Sequence, residues 1–240
     1  MSTRLLKTLH TTILTLTMGM SMNADAGLFG FGGDSWKEEV LLHDGQKIIL
    51  QRSQSYGGRH EIGQSSSVKE HSIDFTLPGT NKRITWTSEY GEDLGRTNFN
   101  LLAVHVLNGT AYIVVEPNLC LSYNKWGRPN PPYVLLKHDK NAWQRIAMEI
   151  LPPDFKTLNV VINNSRINDI NGAASKTAYV LAEDVGKINS SLRQPEYKTI
   201  LREAVPTSGG IASCEELVHY KCGWGAPGEF NKKYFERICK

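Results

Sequence analysis

Beyond residue 26 the sequence lacks a long apolar run, a surplus of either charge and any complete catalytic motif. Each shortage removes a class of protein. The longest later apolar stretch, residues 101–107, is broken by His105 and falls far short of the roughly 20 residues that span a bilayer. Of 27 basic and 24 acidic residues, Arg4, Lys7 and Asp25 lie in the first 26 positions, so 25 and 23 remain beyond them. Those cations are scattered among acids along the whole chain, which argues against nucleic-acid binding, since that requires basic residues clustered on one element.

Familiar motifs are begun but not completed. Gly63, Gln64, Ser65, Ser66 and Ser67 have no closing glycine for a nucleophile elbow. His60 and Glu61 open like a zinc-protease helix, but Ile62, Gly63 and Gln64 follow and the second histidine is missing. Asp169, Asn171 and Gly172 imitate the middle of a calcium loop, yet Ile167 and Ala178 occupy its essential first and last ligand positions. The glycine-rich string GLFGFGGD, residues 27–34, has no lysine or hydroxyl residue to close a phosphate loop. No catalytic residue, metal or cofactor is assigned.

What is present begins at the N-terminus. Arg4 and Lys7 precede a carboxylate-free stretch, residues 12–22, containing Ile13, Leu14, Leu16, Met18, Met20 and Met22, and Ala24, Asp25 and Ala26 follow. A positive end, a short apolar centre and small residues at an A-x-A site make a secretory signal. Cleavage is expected between Ala26 and Gly27, leaving a periplasmic or secreted protein with no membrane span. An oxidising destination makes disulfides the expected state of Cys120, Cys214, Cys222 and Cys239. Four cysteines allow three pairings. Cys214 with Cys222 and Cys120 with Cys239 is preferred, because it fastens the tail to the body. Cys214, His219, Cys222 and Cys239 also offer zinc donors, but without the tight cysteine pair of zinc ribbons and fingers.

The fold expected is mainly β within an α+β class. Residues 27–35 form a glycine-rich leader, residues 36–165 an antiparallel meander or sandwich-like domain, and residues 166–240 a smaller, mixed helical, disulfide-bearing segment. Asp44-Gly45 and Asn108-Gly109 favour the positive φ of tight hairpins. Pro78 to Asn81 and Asp139 to Asn141 mark two more turns, so four hairpins follow in series. A further strand is expected over residues 158–162 and a long loop over residues 55–70. Leu181, Val185, Ile188 and Leu192 form a helical stripe. Pro195 opens a second helix or a strand, and Ser213 with Glu216 has capping-box spacing for a short helix.

One contact surface is expected in LSYNKWGRPNPPY, residues 121–133. Tyr123, Trp126, Arg128 and Tyr133 are of the kinds enriched at interface hot spots, and three prolines restrict the backbone. The competing reading has these aromatics fold back over a sheet edge. LSYNKWGRPNPPYVLLKHDKNAWQRI and the later LRQPEYKTILRE resemble an uncharacterised family of exported bacterial proteins, of proteobacterial type. The resemblance implies an envelope setting and brings no activity or site residue with it. The expectation is a non-catalytic binding or accessory protein with a protein or envelope partner. Its alternatives are an envelope hydrolase assembled from distant residues such as His60, Glu61 and Asp93, and a structural component of an exported assembly.

Overall fold

The computed structural model describes residues 33–162 and 167–239. The expected signal segment and its Ala26/Gly27 junction lie outside the described residues. Strands β1 (Gly33–Leu41), β2 (Lys47–Gly58), β3 (Ser67–Thr76) and β4 (Arg83–Ser88) make one antiparallel sheet in chain order. A two-stranded ribbon, β5 (Tyr90–Gly91) and β6 (Arg96–Thr97), leads to the second sheet. That sheet comprises β7 (Phe99–Leu107), β8 (Thr110–Pro117), β9 (Val134–Asp139) and β10 (Ala142–Ile146), again in order. All four expected hairpins are present, and two of their turns hold the positive φ of tight hairpins. Asn108 and Gly109 have φ of 51° and 70°, and Lys140 and Asn141 have 46° and 65°, matching the right-handed twist of the flanking strands.

The sheets pack face to face. Val40, Leu50, Ile73, Phe75 and Ile84 from the first meet Leu101, Val104, Ile113, Val115 and Val134 from the second. The outer face of the second sheet is covered as well: Leu102, Tyr112, Val114 and Leu135 pack with Leu151, Phe155 and Ile200 from the later chain. Burial on both faces explains why β7 and β8 read as near-continuous apolar runs rather than alternating ones.

Several boundaries differ from expectation. The last three leader residues belong to β1, where Gly33, Asp34 and Ser35 pair with Ser55, Gln54 and Ser53. The long loop contracts to residues 59–66 because β2 and β3 extend into it. Residues 158–162 form no strand. There the side chain of Asn159 does the work of one: its Oδ1 accepts from Val104 N (3.0 Å), and its Nδ2 donates to Val104 O (2.8 Å) and Leu41 O (3.0 Å). One amide thereby ties an edge of each sheet. The β1 edge is also covered by Val180, which bridges it in parallel.

Helices α1 (Leu119–Lys125), α2 (Ile167–Thr177), α3 (Ala182–Ile188) and α4 (Glu229–Ile238) complete the described residues with a small hairpin, β11 (Val218–Tyr220) and β12 (Gly223–Gly225). The stripe at Val185 and Ile188 is buried as expected, together with Ile170, Val180 and Trp36, although α3 ends at Ile188. Pro195 opens only a 3-10 turn, residues 195–197, and the turn at residues 210–213 stops at Cys214 without the capped helix. Under this layer Arg52 and Glu38 form a buried ion pair at 3.1 Å. Arg52 also donates to Val161 O (2.6 Å) and sits 4.9 Å from the Trp36 ring.

All four cysteines are disulfide-bonded, but the preferred pairing is overturned. Cys120 pairs with Cys214, and Cys222 with Cys239. The first bond joins α1 to the end of the turn at residues 210–213, and the second closes α4 onto the β11–β12 hairpin. Cys214 and Cys222 sit on opposite sides of β11, with Cys214 held at α1 by neighbouring hydrogen bonds and Cys222 facing α4. The bonds consume every sulfur that zinc would have needed.

Candidate functional site

Strand β2 turns Ile48, Leu50, Arg52 and Gln54 to one face, all buried, the first two against the partner sheet. Inward chemistry changes from apolar to polar halfway along it. Strand β3 changes likewise, from Phe75 and Ile73 to His71. At this polar end lies a cleft of about 330 Å³, lined by residues including His71, Arg96, Asn100, Glu116, Asn118 and Tyr197. Glu116 shares the strand parity of Tyr112 and Val114, which face the outer core. The end of β8 thus brings a carboxyl to the place where the sandwich meets the later chain.

Glu116 is 3% exposed. The Tyr197 hydroxyl stands 2.8 Å from each of its oxygens, and Pro195 at the start of the 195–197 turn sets the backbone that delivers that tyrosine. Burial raises the carboxyl's pKa to about 7, against the pull of the Tyr197 hydroxyl; the charge of Glu196 adds to the rise, and the Asn100 amide opposes it. Burial and the neighbouring Glu116 charge raise the Tyr197 phenol. His71 is pushed down to about 3 by burial and by Arg52, so it is neutral at ordinary pH. Glu116 and Arg96 make no ion pair among the described residues. The cleft therefore offers a carboxyl that changes charge near neutrality, a phenol, two amides and a guanidinium. That donor set can orient a small polar molecule.

The four residues expected to form a contact surface are engaged within the fold. Tyr123 is buried on α1, with the Arg128 guanidinium 5.1 Å from its ring. Trp126 packs on the Phe99 ring at 4.5 Å and donates to Asn98 Oδ1 at 3.4 Å. Arg128 donates to Cys214 O (2.7 Å), Glu215 O (3.0 Å) and Asn124 Oδ1 (3.0 Å), and Asn124 Oδ1 also accepts from Leu217 N. Tyr133 is buried, and its hydroxyl donates towards Glu196 O (2.9 Å) and Thr199 O (3.2 Å). The segment is a seam joining the second sheet to the C-terminal residues. Beside it Tyr133, Asn130, cis Pro131 and Arg145 border a separate cavity of about 440 Å³.

His60, Glu61 and Asp93 do not converge on the Glu116 cleft. The His60 ring lies 2.9 Å from Gly58 O, Glu61 is exposed, and Asp93 pairs with Lys125 at 2.7 Å. Asp93 borders a third cavity, of about 540 Å³, with Arg59, His219 and Trp224. Among the described residues, no group of three His, Cys, Asp or Glu side chains is arranged to hold a metal, and no helix is long and apolar enough to cross a membrane. Sequence reasoning missed Glu116, Tyr197 and Arg96, which belong to no motif. Parity was the available signal, because Arg52, Gln54 and His71 continue the inward-facing register of apolar residues. Compared with known proteins, the chain matches no family model, and no curated protein or solved structure matches it.

Proposed function

We propose that the chain is an exported, non-catalytic binding protein of the bacterial cell envelope that takes a small polar ligand in the Glu116 cleft. The carboxyl of Glu116 carries the reading: it is buried at the cleft, bonded to Tyr197 and without a countercharge among the described residues. A buried ionisable group costs stability unless it is paired, so its presence in a cleft supports a binding role. The signal pattern over residues 1–26, with two disulfides in the folded chain, supports export. The test is a thermal-shift screen of small polar metabolites against the chain purified from an oxidising compartment. The reading expects stabilising compounds whose shifts disappear in Glu116→Gln and Tyr197→Phe but survive in Trp126→Ala. Shifts indifferent to both cleft substitutions would sink it.

One observation favours a second reading, the envelope hydrolase. A carboxyl titrating at about 7 is suited to general acid or base work. It predicts turnover of chromogenic esters or glycosides with a pH limb near 7 that Glu116→Gln removes.

A further inference from the structure

The cleft holds two charged side chains that the fold leaves unreconciled. Glu116 is buried and meets only neutral donors, Tyr197 and Asn100. Arg96, from β6, borders the same cleft half-buried, and its guanidinium has no hydrogen bond or ion pair among the described residues. Arg96 and Glu116 do not pair with each other, although elsewhere the chain readily joins such groups, as in Arg52–Glu38 and Lys125–Asp93. A guanidinium recognises carboxylates through its planar fork of donors. An ionised carboxyl in a poorly solvated recess is best satisfied by a cation that also donates hydrogen bonds.

We infer that the Glu116 cleft binds a small zwitterion, a free amino acid or short peptide, with its ammonium group on Glu116 and its carboxylate on Arg96. This rests on the proposed binding role of the cleft. The volume of about 330 Å³ is at the small end of the roughly 300–1,000 Å³ of ligand pockets, which suits a molecule as small as an amino acid or dipeptide. Glu196, buried behind Glu116, acts on the Glu116 carboxyl through its charge. Asn118 and Asn100 line the same cleft and can meet the neutral atoms.

Binding in this arrangement is linked to protons. The groups facing Glu116 are Tyr197, Asn100 and Glu196, with His71 and Arg96 also bordering the cleft. His71 ionises at about 3 and the Tyr197 phenol far above neutrality, so Glu116, at about 7, is the cleft-lining group expected to titrate between pH 6 and 8. Ammonium binding requires its ionised form, so affinity falls as pH drops through about 7, and binding near that pH releases a proton.

The test is isothermal titration of the disulfide-intact chain with L-alanyl-L-alanine, N-acetyl-L-alanyl-L-alanine and L-alanyl-L-alaninamide at pH 7.5. The free dipeptide is expected to bind at least about ten-fold more tightly than either capped form, a difference of about 1.4 kcal/mol. Glu116→Gln should erase the preference over the acetylated peptide, and Arg96→Met the preference over the amide. Repeating the dipeptide titration near pH 7 in phosphate and in Tris reads proton release on the unaltered chain, so the inference remains testable if a variant misfolds. Equal binding of all three peptides, or no binding by the free dipeptide, overturns the zwitterion. If non-zwitterionic compounds still give thermal shifts that Glu116→Gln abolishes, the binding role of the cleft survives that failure. If no compound responds to the cleft substitutions, both fall.

Discussion

The second sheet and the last 26 described residues are held together by different forces. Strands β7 and β8 are buried on both faces, and Phe155 locks the outer core, with its ring 4.4 Å from His105, 4.9 Å from His43 and 5.3 Å from Tyr112. Helix α4 buries none of its residues and exposes Phe230, Tyr234 and Ile238. Its order comes from Cys222–Cys239, from Tyr220 stacked on Phe235 at 4.9 Å, and from two glycines beneath that ring. A Cβ at Gly223 or Gly225 would lie 2.8 or 2.9 Å from Phe235, so the hairpin must be bare there. Apolar area stabilises one region, and covalent closure with glycine-permitted contact stabilises the other.

That contrast can be broken from either side. Phe155→Ala should be the most damaging change, costing about 4 kcal/mol through lost burial and the cavity left behind; urea unfolding followed by tryptophan fluorescence checks it. Replacing Cys222 and Cys239 together with serine releases a closure of 17 residues, worth about 3 kcal/mol in the chain-entropy account. The effect should be confined. Hydrogen exchange should accelerate throughout α4 and β11–β12 while β7 and β8 keep their protection, whereas a uniform loss would show that the two regions are one cooperative unit.

Glu116→Gln sharpens the comparison by pH. The carboxyl's pKa rises from 4.5 to about 7 on folding, so the folded chain binds more protons than the unfolded one between those values. The stability this confers is present below pH 4.5 and lost as pH rises through 7. The variant should therefore be more stable than the parent at pH 8, by at most about 3 kcal/mol, and nearly equal to it at pH 4.5. Urea midpoints at the two pH values read the difference. Buried His71 and His105, lowered to about 3 and about 4, impose the opposite slope below pH 6.5 in both proteins. The smallest effect, about 2 kcal/mol, is expected for Asn159→Leu, which strands the Val104 amide and carbonyl. Faster exchange at the β7 edge is the check.

The hairpins were legible because their turns are local: Asn108-Gly109 and Asp139 to Asn141 carry their geometry in adjacent residues. Helix α1 was not. It has only seven residues, and Ser122 Oγ donating to Asn98 O (2.5 Å), the Cys120–Cys214 bond and Asn124 hold it from distant parts of the chain. Helix α2 contains asparagines and a glycine, which favour helix poorly, and gains its place by burying Ile170 beside Trp36 and Val180. The candidate site was hidden for the same reason. His71, Arg96, Glu116 and Tyr197 are gathered by sheet packing and a late turn, and Glu116 sits at the end of a strand whose apolar residues dominated its reading. The cysteines were legible as disulfides, but their partners depend on where α1 and α4 dock.

The observed pairing is also sequential along the chain. Cys120 joins the next cysteine in the chain, and Cys222 the one after it, so neither loop encloses or crosses the other. A chain delivered N-terminus first presents each pair complete before the following cysteine arrives. Oxidation in order of appearance then gives the observed bonds, and comparing recovery of the reduced chain with oxidant alone and with a disulfide isomerase added reads whether shuffling is needed.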